Sequence, residues 1–138
     1  MTSGSPGPEG APAARPRLRV LAVDDEALNL KTFARVFRRE FEIETALSAA
    51  LALDQIAARD FDVVVTDYAM PELDGLHLLA RVAERSPRTR RLLATGHYEL
   101  QVLADAVRDG LAELVLPKPW TREAMLRAIT GPPDPTRG

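Results

Sequence analysis

The sequence predicts an α/β fold in which five short strands alternate with five helices, giving an open, doubly wound parallel sheet of (βα)5 type. The first observation behind this prediction is that residues 17–130 alternate between short apolar runs and segments with apolar residues at helical spacing. The second is that runs such as Val63-Val64-Val65 are apolar without alternation, as expected for strands covered by helices on both faces. The third is that the prolines and glycines of this segment fall between the periodic stretches.

The first half of this segment contains two predicted strand–helix pairs. The strands are Leu18–Val23 and Phe41–Ala46, which are apolar or β-branched over most of their length. The apolar stripes of the two helices consist of Leu30, Phe33, Ala34 and Phe37, and of Ala49, Ala52, Leu53 and Ile56. Ser48 directly precedes the second helix and is a favourable N-cap residue.

The second half contains three more pairs. The predicted strands are Phe61–Thr66, Arg91–Ala94 and Glu113–Leu116. The stripes of the helices are Leu76, Leu79, Ala80 and Ala83; then Leu100, Leu103, Ala104 and Val107; then Met125, Ala128 and Ile129. Thr121 is the predicted N-cap of the last helix. Residues 81–91 also carry five arginines, which we interpret as a solvated basic face.

Length and composition limit the organisation of the chain. The 138 residues suffice for one domain, and the absence of cysteine excludes disulfides, cysteine nucleophiles and thiolate metal sites. Seven of the 11 prolines and five of the 8 glycines lie in residues 1–16 and 131–138. We therefore predict flexible tails at 1–16 and 131–138 around a domain at 17–130.

Charge and hydropathy exclude further classes. A net charge of −2 argues against direct binding to nucleic acid, which usually requires a basic surface. No apolar run is long enough to span a membrane, and the N-terminus does not resemble a secretory signal. We expect a cytoplasmic protein without membrane association.

Functional side chains are expected where the strands end, because the carboxyl ends of parallel strands lie at one edge of the sheet. Asp24-Asp25-Glu26 follow the first strand, Asp67 follows the third, Thr95-Gly96 follow the fourth and Pro117-Lys118-Pro119 follow the fifth. The aspartates of this set, Asp24, Asp25 and Asp67, repel one another unless a cation joins them, and hard oxygen ligands without His or Cys suit Mg²⁺. A hydroxyl and a lysine nearby suit an anion, so the set is appropriate for making or holding a phosphoryl group. One of the carboxylates could itself be the nucleophile and form an aspartyl phosphate.

The sequence resembles the receiver domains of bacterial two-component response regulators, of the stand-alone type. The resemblance covers Arg17 to about Thr130 and rests on four motifs in order. These are Val23-Asp24-Asp25-Glu26, Thr66-Asp67-Tyr68-Ala69-Met70-Pro71 with Asp74-Gly75, Ala94-Thr95-Gly96, and Leu116-Pro117-Lys118-Pro119. It implies a flavodoxin-like sheet with the strand order 2-1-3-4-5.

The resemblance also implies a role for each site residue. Asp67 is the expected phosphoacceptor, and Lys118 pairs with Asp67 before phosphorylation and with the phosphoryl group afterwards. The implied Mg²⁺ ligands are Asp25, Asp67 and the backbone carbonyl of Ala69, with Asp24 acting mostly through water. Thr95 is expected to hydrogen-bond the phosphoryl oxygens, and the Lys118-Pro119 peptide bond is expected to be cis.

Each of these residues also has a simpler interpretation. Asp25 could only cap the following helix, and Asp67 could be a polar end to its strand. Lys118 is one of only two lysines against sixteen arginines, which favours a specific role for its compact charge. We interpret Asp74-Gly75 as a turn and Trp120 as a packing residue. Neither His77 nor His97 suits a hard-cation site.

The leading hypothesis is a binding module controlled by phosphorylation of Asp67, with a sensor histidine kinase or a phosphotransfer protein as donor and a downstream protein as partner. We do not expect an enzyme beyond the part that the domain takes in its own phosphotransfer and dephosphorylation. The alternative is a phosphorylation-independent scaffold with the same fold. It is favoured by Val115, which stands where receivers often carry Tyr or Phe. A Mg²⁺-dependent phosphatase is disfavoured, because Ala69 occupies the position of its general acid.

Overall fold

The computed structural model describes residues 17–96 and 100–131. Five strands and five helices alternate along the chain: β1 (Arg19–Val23), α1 (Ala27–Phe37), β2 (Glu42–Ala46), α2 (Ala49–Ala58), β3 (Val63–Asp67), α3 (Gly75–Arg85), β4 (Arg90–Thr95), α4 (Leu100–Arg108), β5 (Leu114–Pro117) and α5 (Arg122–Thr130). The predictions for residues 1–16 and 132–138, and for His97, lie outside the described residues.

The strands form one parallel sheet in the order β2-β1-β3-β4-β5, which confirms the predicted fold class and strand order. Two separate cores cover the sheet. On one side α1 and α5 bury Phe33, Phe37 and Met125 against the strands. On the other side α2, α3 and α4 bury a second set that includes Leu79 and Leu103.

The central strand β3 shows why its sequence is continuously apolar. Val63 and Val65 belong to the core beneath α1 and α5, whereas Val64 belongs to the core beneath α2, α3 and α4. Each of these valines is buried, so neither face of the strand meets water. The run Val63-Val64-Val65 is therefore the direct consequence of a sheet covered on both sides.

Side-chain caps determine where three helices begin. Ser48 Oγ accepts from Leu51 N at 3.1 Å, and Thr121 Oγ1 accepts from Ala124 N at 3.1 Å, as predicted. Asp74 caps α3 by accepting from His77 N at 2.9 Å. Glu26, not Asp25, occupies the N-cap position of α1 and makes no side-chain cap, so the interpretation of Asp25 as a helix cap is wrong.

Two predicted apolar stripes are wrong in phase. On α3 the buried side chains are Leu78, Leu79 and Val82, and the predicted Leu76 is only half-buried. On α4 Ala104 is exposed while Ala106 is buried. Helix α3 contacts both α2 and β4, so the buried part of its surface is wide. The spacing of apolar residues alone therefore does not show which of them are buried most deeply.

The amino edge of the sheet, where the strands begin, is held by two arginines. Arg90 forms two 2.9 Å bonds with the carboxylate of Glu113 and also donates to the carbonyls of Ala128 and Ile129 at the end of α5. Arg91 donates to the carbonyls of Leu111, Gly110, Thr89 and Pro87. The prediction of a solvated basic face therefore holds for the exposed Arg81, Arg85 and Arg88 and is wrong for Arg90 and Arg91.

Among the helices of residues 17–96 and 100–131, none combines the length and the hydropathy that a membrane crossing requires.

Candidate functional site

The carboxyl edge of the sheet, where the strands end, gathers acidic side chains from two neighbouring strands. Val23 of β1 pairs with Thr66 of β3, so the next residues along the chain, Asp24 and Asp67, are neighbours. Asp25 follows Asp24, and one carboxylate oxygen from each of the three residues lies within 4.8 Å of the others. The parallel register therefore brings together residues that are 43 positions apart.

The three carboxylates differ in burial. Asp24 is only 6% exposed, Asp67 is half-buried and Asp25 is exposed. A cluster of this kind is electrostatically unfavourable unless cations neutralise it. All its donors are hard oxygens and none is nitrogen or sulfur, a donor set that fits Mg²⁺.

Lys118 supplies the positive charge opposite the acidic cluster. Its Nζ donates to Asp24 Oδ2 at 2.8 Å and lies 3.5 Å from Asp67 Oδ1. The closest contact of this lysine is therefore with Asp24, whereas the sequence led us to expect Asp67. The ammonium is shared between both carboxylates. The Lys118 backbone is tied to the end of β4, because Lys118 N donates to Thr95 O at 3.0 Å.

Burial and the neighbouring charges shift the pKa values of Asp67 and Lys118. Partial burial is the largest influence on Asp67 and raises the pKa of its carboxyl, and the neighbouring Asp24 adds to the rise while Lys118 opposes it. For Lys118, burial acts to lower the pKa, but the hydrogen bond and charge of Asp24, with a contribution from Asp67, outweigh it and the pKa is raised. Asp67 therefore carries a negative charge that its surroundings do not fully compensate.

The backbone around Asp67 is fixed by close contacts. Tyr68 N donates to Asp67 Oδ1 at 2.8 Å, and Thr66 Oγ1 donates to the Asp67 carbonyl at 3.0 Å. Gly75 N donates to the Tyr68 carbonyl at 2.8 Å, which brings the start of α3 against the end of β3. A Cβ on Gly75 would lie 2.1 Å from the Asp67 carbonyl oxygen, so a residue with a side chain does not fit there.

The remaining predicted site residues lie around this cluster. Thr95 ends β4 and is fully buried, and Ala69 is exposed in the loop that follows Asp67. The Lys118-Pro119 peptide bond is cis, which confirms the prediction. Val115 lies on β5 and packs against the core beneath α2, α3 and α4.

A groove of about 540 Å³ extends from Asp24, Asp67 and Lys118 between α1 and the start of α5. Trp120 lines it and packs against Phe33 and Phe37, with ring centroids 5.7 and 5.8 Å apart. This contact supports the interpretation of Trp120 as a packing residue. It also places the indole beside the acidic cluster, where its fluorescence can report binding.

Sequence reasoning missed two residues of the site. Gly75 was interpreted only as part of a turn, and its close approach to Asp67 depends on a tertiary contact that spacing does not reveal. Asn29 was not singled out, although its side chain donates to Asp24 Oδ2 at 3.1 Å. It is the only asparagine in the chain, and that rarity was the available signal.

Comparison with known proteins agrees with this geometry. Residues 20–130 match the family described as response regulator receiver domain. The chemotaxis protein CheY of Listeria monocytogenes is 26% identical over 115 residues, which cover 81% of this chain and 95% of CheY. The alginate biosynthesis transcriptional regulatory protein AlgB of Pseudomonas putida is 32% identical over 99 residues, which cover 71% of this chain but only 22% of AlgB.

A solved structure shows the same fold. It is a response regulator protein from Burkholderia pseudomallei with a phosphorylated aspartic acid, calcium ion and citrate. It is 30% identical, with a TM-score of 0.75, and the match covers 83% of this chain and 67% of that one. Fold, acidic cluster and family match agree, and the chain belongs to the response regulator receiver family.

Proposed function

We propose that this domain receives a phosphoryl group on Asp67 from the phosphohistidine of a sensor histidine kinase or a phosphotransfer protein. The observation that carries the proposal is the grouping of Asp24, Asp25 and Asp67 within 4.8 Å, with Lys118 contacting two of them. The arrangement lies at the carboxyl edge of a doubly wound sheet, where ligands of such folds bind. The phosphorylated aspartic acid of the Burkholderia relative supports the same chemistry.

The acidic cluster is the proposed Mg²⁺ site. Asp25, Asp67 and the backbone carbonyl of Ala69 are the proposed direct ligands, and the buried Asp24 is proposed to act mostly through water. When bound, Mg²⁺ neutralises the carboxylates and the oxygens of the transferring phosphoryl group. The exposure of Asp25 at the rim leaves this side of the cluster open to solvent and to a donor.

In the proposed transfer an oxygen of the Asp67 carboxylate attacks phosphorus while the bond from phosphorus to the donor imidazole nitrogen breaks. That nitrogen keeps the electron pair while the other ring nitrogen of the donor carries a proton, so the products are an aspartyl phosphate and a neutral imidazole. Lys118 and Thr95 hold the phosphoryl oxygens. Since Lys118 already contacts Asp67 at 3.5 Å, a short movement of its flexible side chain suffices to reach the new group.

The output of the phosphorylated domain is proposed to be binding to a downstream protein, in the cytoplasm and without direct contact to nucleic acid. The phosphoryl group carries about −1.5 to −2 charges in place of the charge of the Asp67 carboxylate, and this increase biases the nearby loops toward a new arrangement. The domain takes part in its own phosphotransfer and dephosphorylation and does not turn over a separate substrate.

A second candidate is a scaffold that does not depend on phosphorylation. Val115 supports it, because this valine packs in the core on the strand next to Thr95 and offers no ring to move with the threonine hydroxyl. The two candidates differ in a measurable property. A switch predicts that partner binding depends on phosphorylation, and a scaffold predicts that it does not.

The test of the proposed function is intact mass after incubation with acetyl phosphate, with Mg²⁺ or with EDTA. The expected result is one added phosphoryl group that requires Mg²⁺ and is lost in Asp67→Asn. Asp109→Asn is the matched control, because Asp109 is an exposed aspartate that pairs with Arg108.

Beryllofluoride provides a second experiment that needs no phosphodonor, since it mimics a phosphoryl group on a carboxylate. With Mg²⁺ it should raise the melting temperature of the wild type and of Asp109→Asn and leave Asp67→Asn unchanged. Failure of both experiments in the wild type would contradict the phosphoacceptor role and leave the scaffold as the better account.

A further inference from the structure

Asn29 lies in the first turn of α1 and joins two acidic side chains. Its Nδ2 donates to Asp24 Oδ2 at 3.1 Å and to Glu26 Oε1 at 3.2 Å. Its backbone N–H donates to the Glu26 carbonyl at 3.1 Å, which fixes the residue relative to the loop after β1. The primary amide has two N–H donors, and both are used here on carboxylates.

Asp24 depends on donors from the protein. It is 94% buried, with 6% of its surface exposed, so little water reaches the carboxylate. Oδ1 accepts from Glu26 N at 2.9 Å, and Oδ2 accepts from both Lys118 Nζ at 2.8 Å and Asn29 Nδ2 at 3.1 Å. One oxygen is therefore held by two different side chains.

The two donors on Oδ2 differ in their other contacts. Lys118 also faces Asp67 at 3.5 Å, whereas the Asn29 side chain donates to Asp24 and Glu26, which precede α1. A phosphoryl group on Asp67 carries about −1.5 to −2 charges, more than the carboxylate that it replaces, and attracts the ammonium of Lys118. When the ammonium turns toward that group, Asn29 is the side chain that still donates to Oδ2 among residues 17–96 and 100–131.

We infer that Asn29 is a positioning residue for Asp24: it shares Oδ2 with Lys118 in the resting domain and remains the side-chain donor to Oδ2 once Lys118 has turned to the phosphoryl group. This inference rests on the proposed function, because it takes Asp24 as part of the Mg²⁺ site. Partners that orient a metal-binding carboxylate typically contribute 10–100-fold to metal affinity.

An amide suits this position for a physical reason. It donates hydrogen bonds without a charge, so it orients Asp24 without the repulsion of a bound cation that a lysine or arginine would cause. It is also short, so ordering it costs less conformational entropy than ordering a long cationic side chain. The single asparagine of the chain therefore stands where a neutral double donor is required.

The experiment is thermal unfolding at stepped Mg²⁺ concentrations, beginning in EDTA. The rise in melting temperature with Mg²⁺ measures affinity through linkage, and the value in EDTA measures any purely structural effect. Asn29→Ala is expected to weaken Mg²⁺ binding about tenfold. Gln101→Ala is the matched control, because Gln101 is also a helical amide that donates to a carboxylate, that of Asp105, at 2.8 Å.

The sharing of Oδ2 is tested by repeating Asn29→Ala in a Lys118→Met background. There Asp24 Oδ2 loses both donors, so the expected loss of Mg²⁺ affinity caused by Asn29→Ala is larger than in the wild-type background. An equal loss in both backgrounds overturns the inference, and so does a lower melting temperature in EDTA with unchanged Mg²⁺ affinity. If the melting temperature of the wild type does not rise with Mg²⁺, the proposed metal site is wrong and the inference fails with it. If the wild type responds and Asn29→Ala has the same Mg²⁺ affinity, the inference alone fails.

Discussion

The two edges of the same sheet use charged side chains in opposite ways. At the amino edge, Arg90 meets Glu113 through two hydrogen bonds and satisfies two carbonyls at the end of α5. At the carboxyl edge, the three carboxylates of the acidic cluster stand against the ammonium of Lys118. Arg90 and Glu113 neutralise each other, whereas the acidic cluster and Lys118 together keep an excess of negative charge.

This difference separates stability from function. A charged group whose partners are all within the protein holds the fold together and has nothing left to bind. An acidic cluster with an incomplete counter-charge is less stable alone and gains from a cation or a rearranged lysine. We therefore expect substitutions of the paired arginine at the amino edge to lower stability without changing chemistry. Substitutions of the acidic side chains at the carboxyl edge should change chemistry without lowering stability.

The largest stability effect is expected for Arg90→Met. The pair is partly buried, with side chains 21% and 18% exposed, and the variant leaves Glu113 without its cation. The expected loss is about 3 kcal/mol of unfolding free energy, the low end for breaking a buried pair. Urea unfolding measures it, and Mg²⁺-dependent phosphorylation should be unchanged in the folded variant.

Arg108→Met is the control for Arg90, because Arg108 forms exposed ion pairs with Asp105 and Asp109. Its expected loss is below about 1 kcal/mol. Equal losses of unfolding free energy in the two variants would show that the Arg90–Glu113 pair stabilises the fold no more than an exposed ion pair does. The proposed role of the amino edge in stability would then be wrong.

The next largest effect is expected for Gly75→Ala, which should lower both the stability of the fold and the phosphorylation of Asp67. The new Cβ would lie 2.1 Å from the Asp67 carbonyl oxygen, so the end of β3 or the start of α3 must move. Overpacking of this kind costs about 1–3 kcal/mol, and displacement of Asp67 should also lower the extent of phosphorylation. Gly96→Ala is the matched control, since a Cβ there would lie 3.9 Å from Lys118 Cβ, an ordinary contact distance. Unfolding and intact mass are measured on both, and a phosphorylation level in Gly75→Ala equal to that of the control contradicts the prediction.

A smaller effect is expected for Asp74→Ala, which removes the N-cap of α3 and should cost about 1 kcal/mol. Burial acts to raise the pKa of the Asp74 carboxyl, but hydrogen bonds from His77 outweigh burial and the pKa is lowered from its ordinary 3.8. The stabilisation is therefore present above pH 3.8 and is lost as the pH falls through the lower folded value. Asp74→Asn keeps a capping oxygen and cannot titrate, so it should lose this dependence. The free energy of unfolding of the wild type, Asp74→Ala and Asp74→Asn is measured between pH 2 and pH 6. An identical decrease toward low pH in all three proteins would refute the role of the Asp74 carboxylate.

The smallest expected effect has the opposite sign. The pKa of Asp67 is raised, chiefly by burial, so its contribution to stability declines as the pH rises through the folded value and is unfavourable at neutral pH. Asp67→Asn removes that charge and should melt at a higher temperature than the wild type in EDTA at pH 7. The difference should decrease when Mg²⁺ is added to the wild type. A lower melting temperature for Asp67→Asn in EDTA would mean that the carboxylate is stabilised by Lys118 overall.

The carboxyl edge was largely predictable from the sequence. The alternating pattern predicts a parallel sheet, the family resemblance implies its strand order, and residues that directly follow parallel strands must lie at one edge. Asp24, Asp67 and Lys118 were expected together for that reason, and the structure brings them together. The acidic and basic residues of a binding edge stand out because they interrupt apolar runs.

The amino edge and the supporting contacts were not predictable in this way. The arginine at position 90 is one of five in residues 81–91, and only partners 23 or more residues later in sequence distinguish it from the exposed arginines of that run. Gly75 and Asn29 act through contacts that depend on how α3 and α1 approach the sheet. The phase of α3 was wrong for the same reason, since contacts with two elements widen its buried face.

The most direct test of the central claim is to locate the phosphoryl group on the chain. Borohydride reduces an acyl phosphate on aspartate to homoserine, which peptide mass analysis can assign to one residue. After incubation with a phosphodonor and Mg²⁺, the account predicts homoserine at position 67 and none at Asp24 or Asp25. Homoserine at either of those residues, or a phosphate that survives reduction on a hydroxyl side chain, would contradict the assignment of Asp67 as the phosphoacceptor.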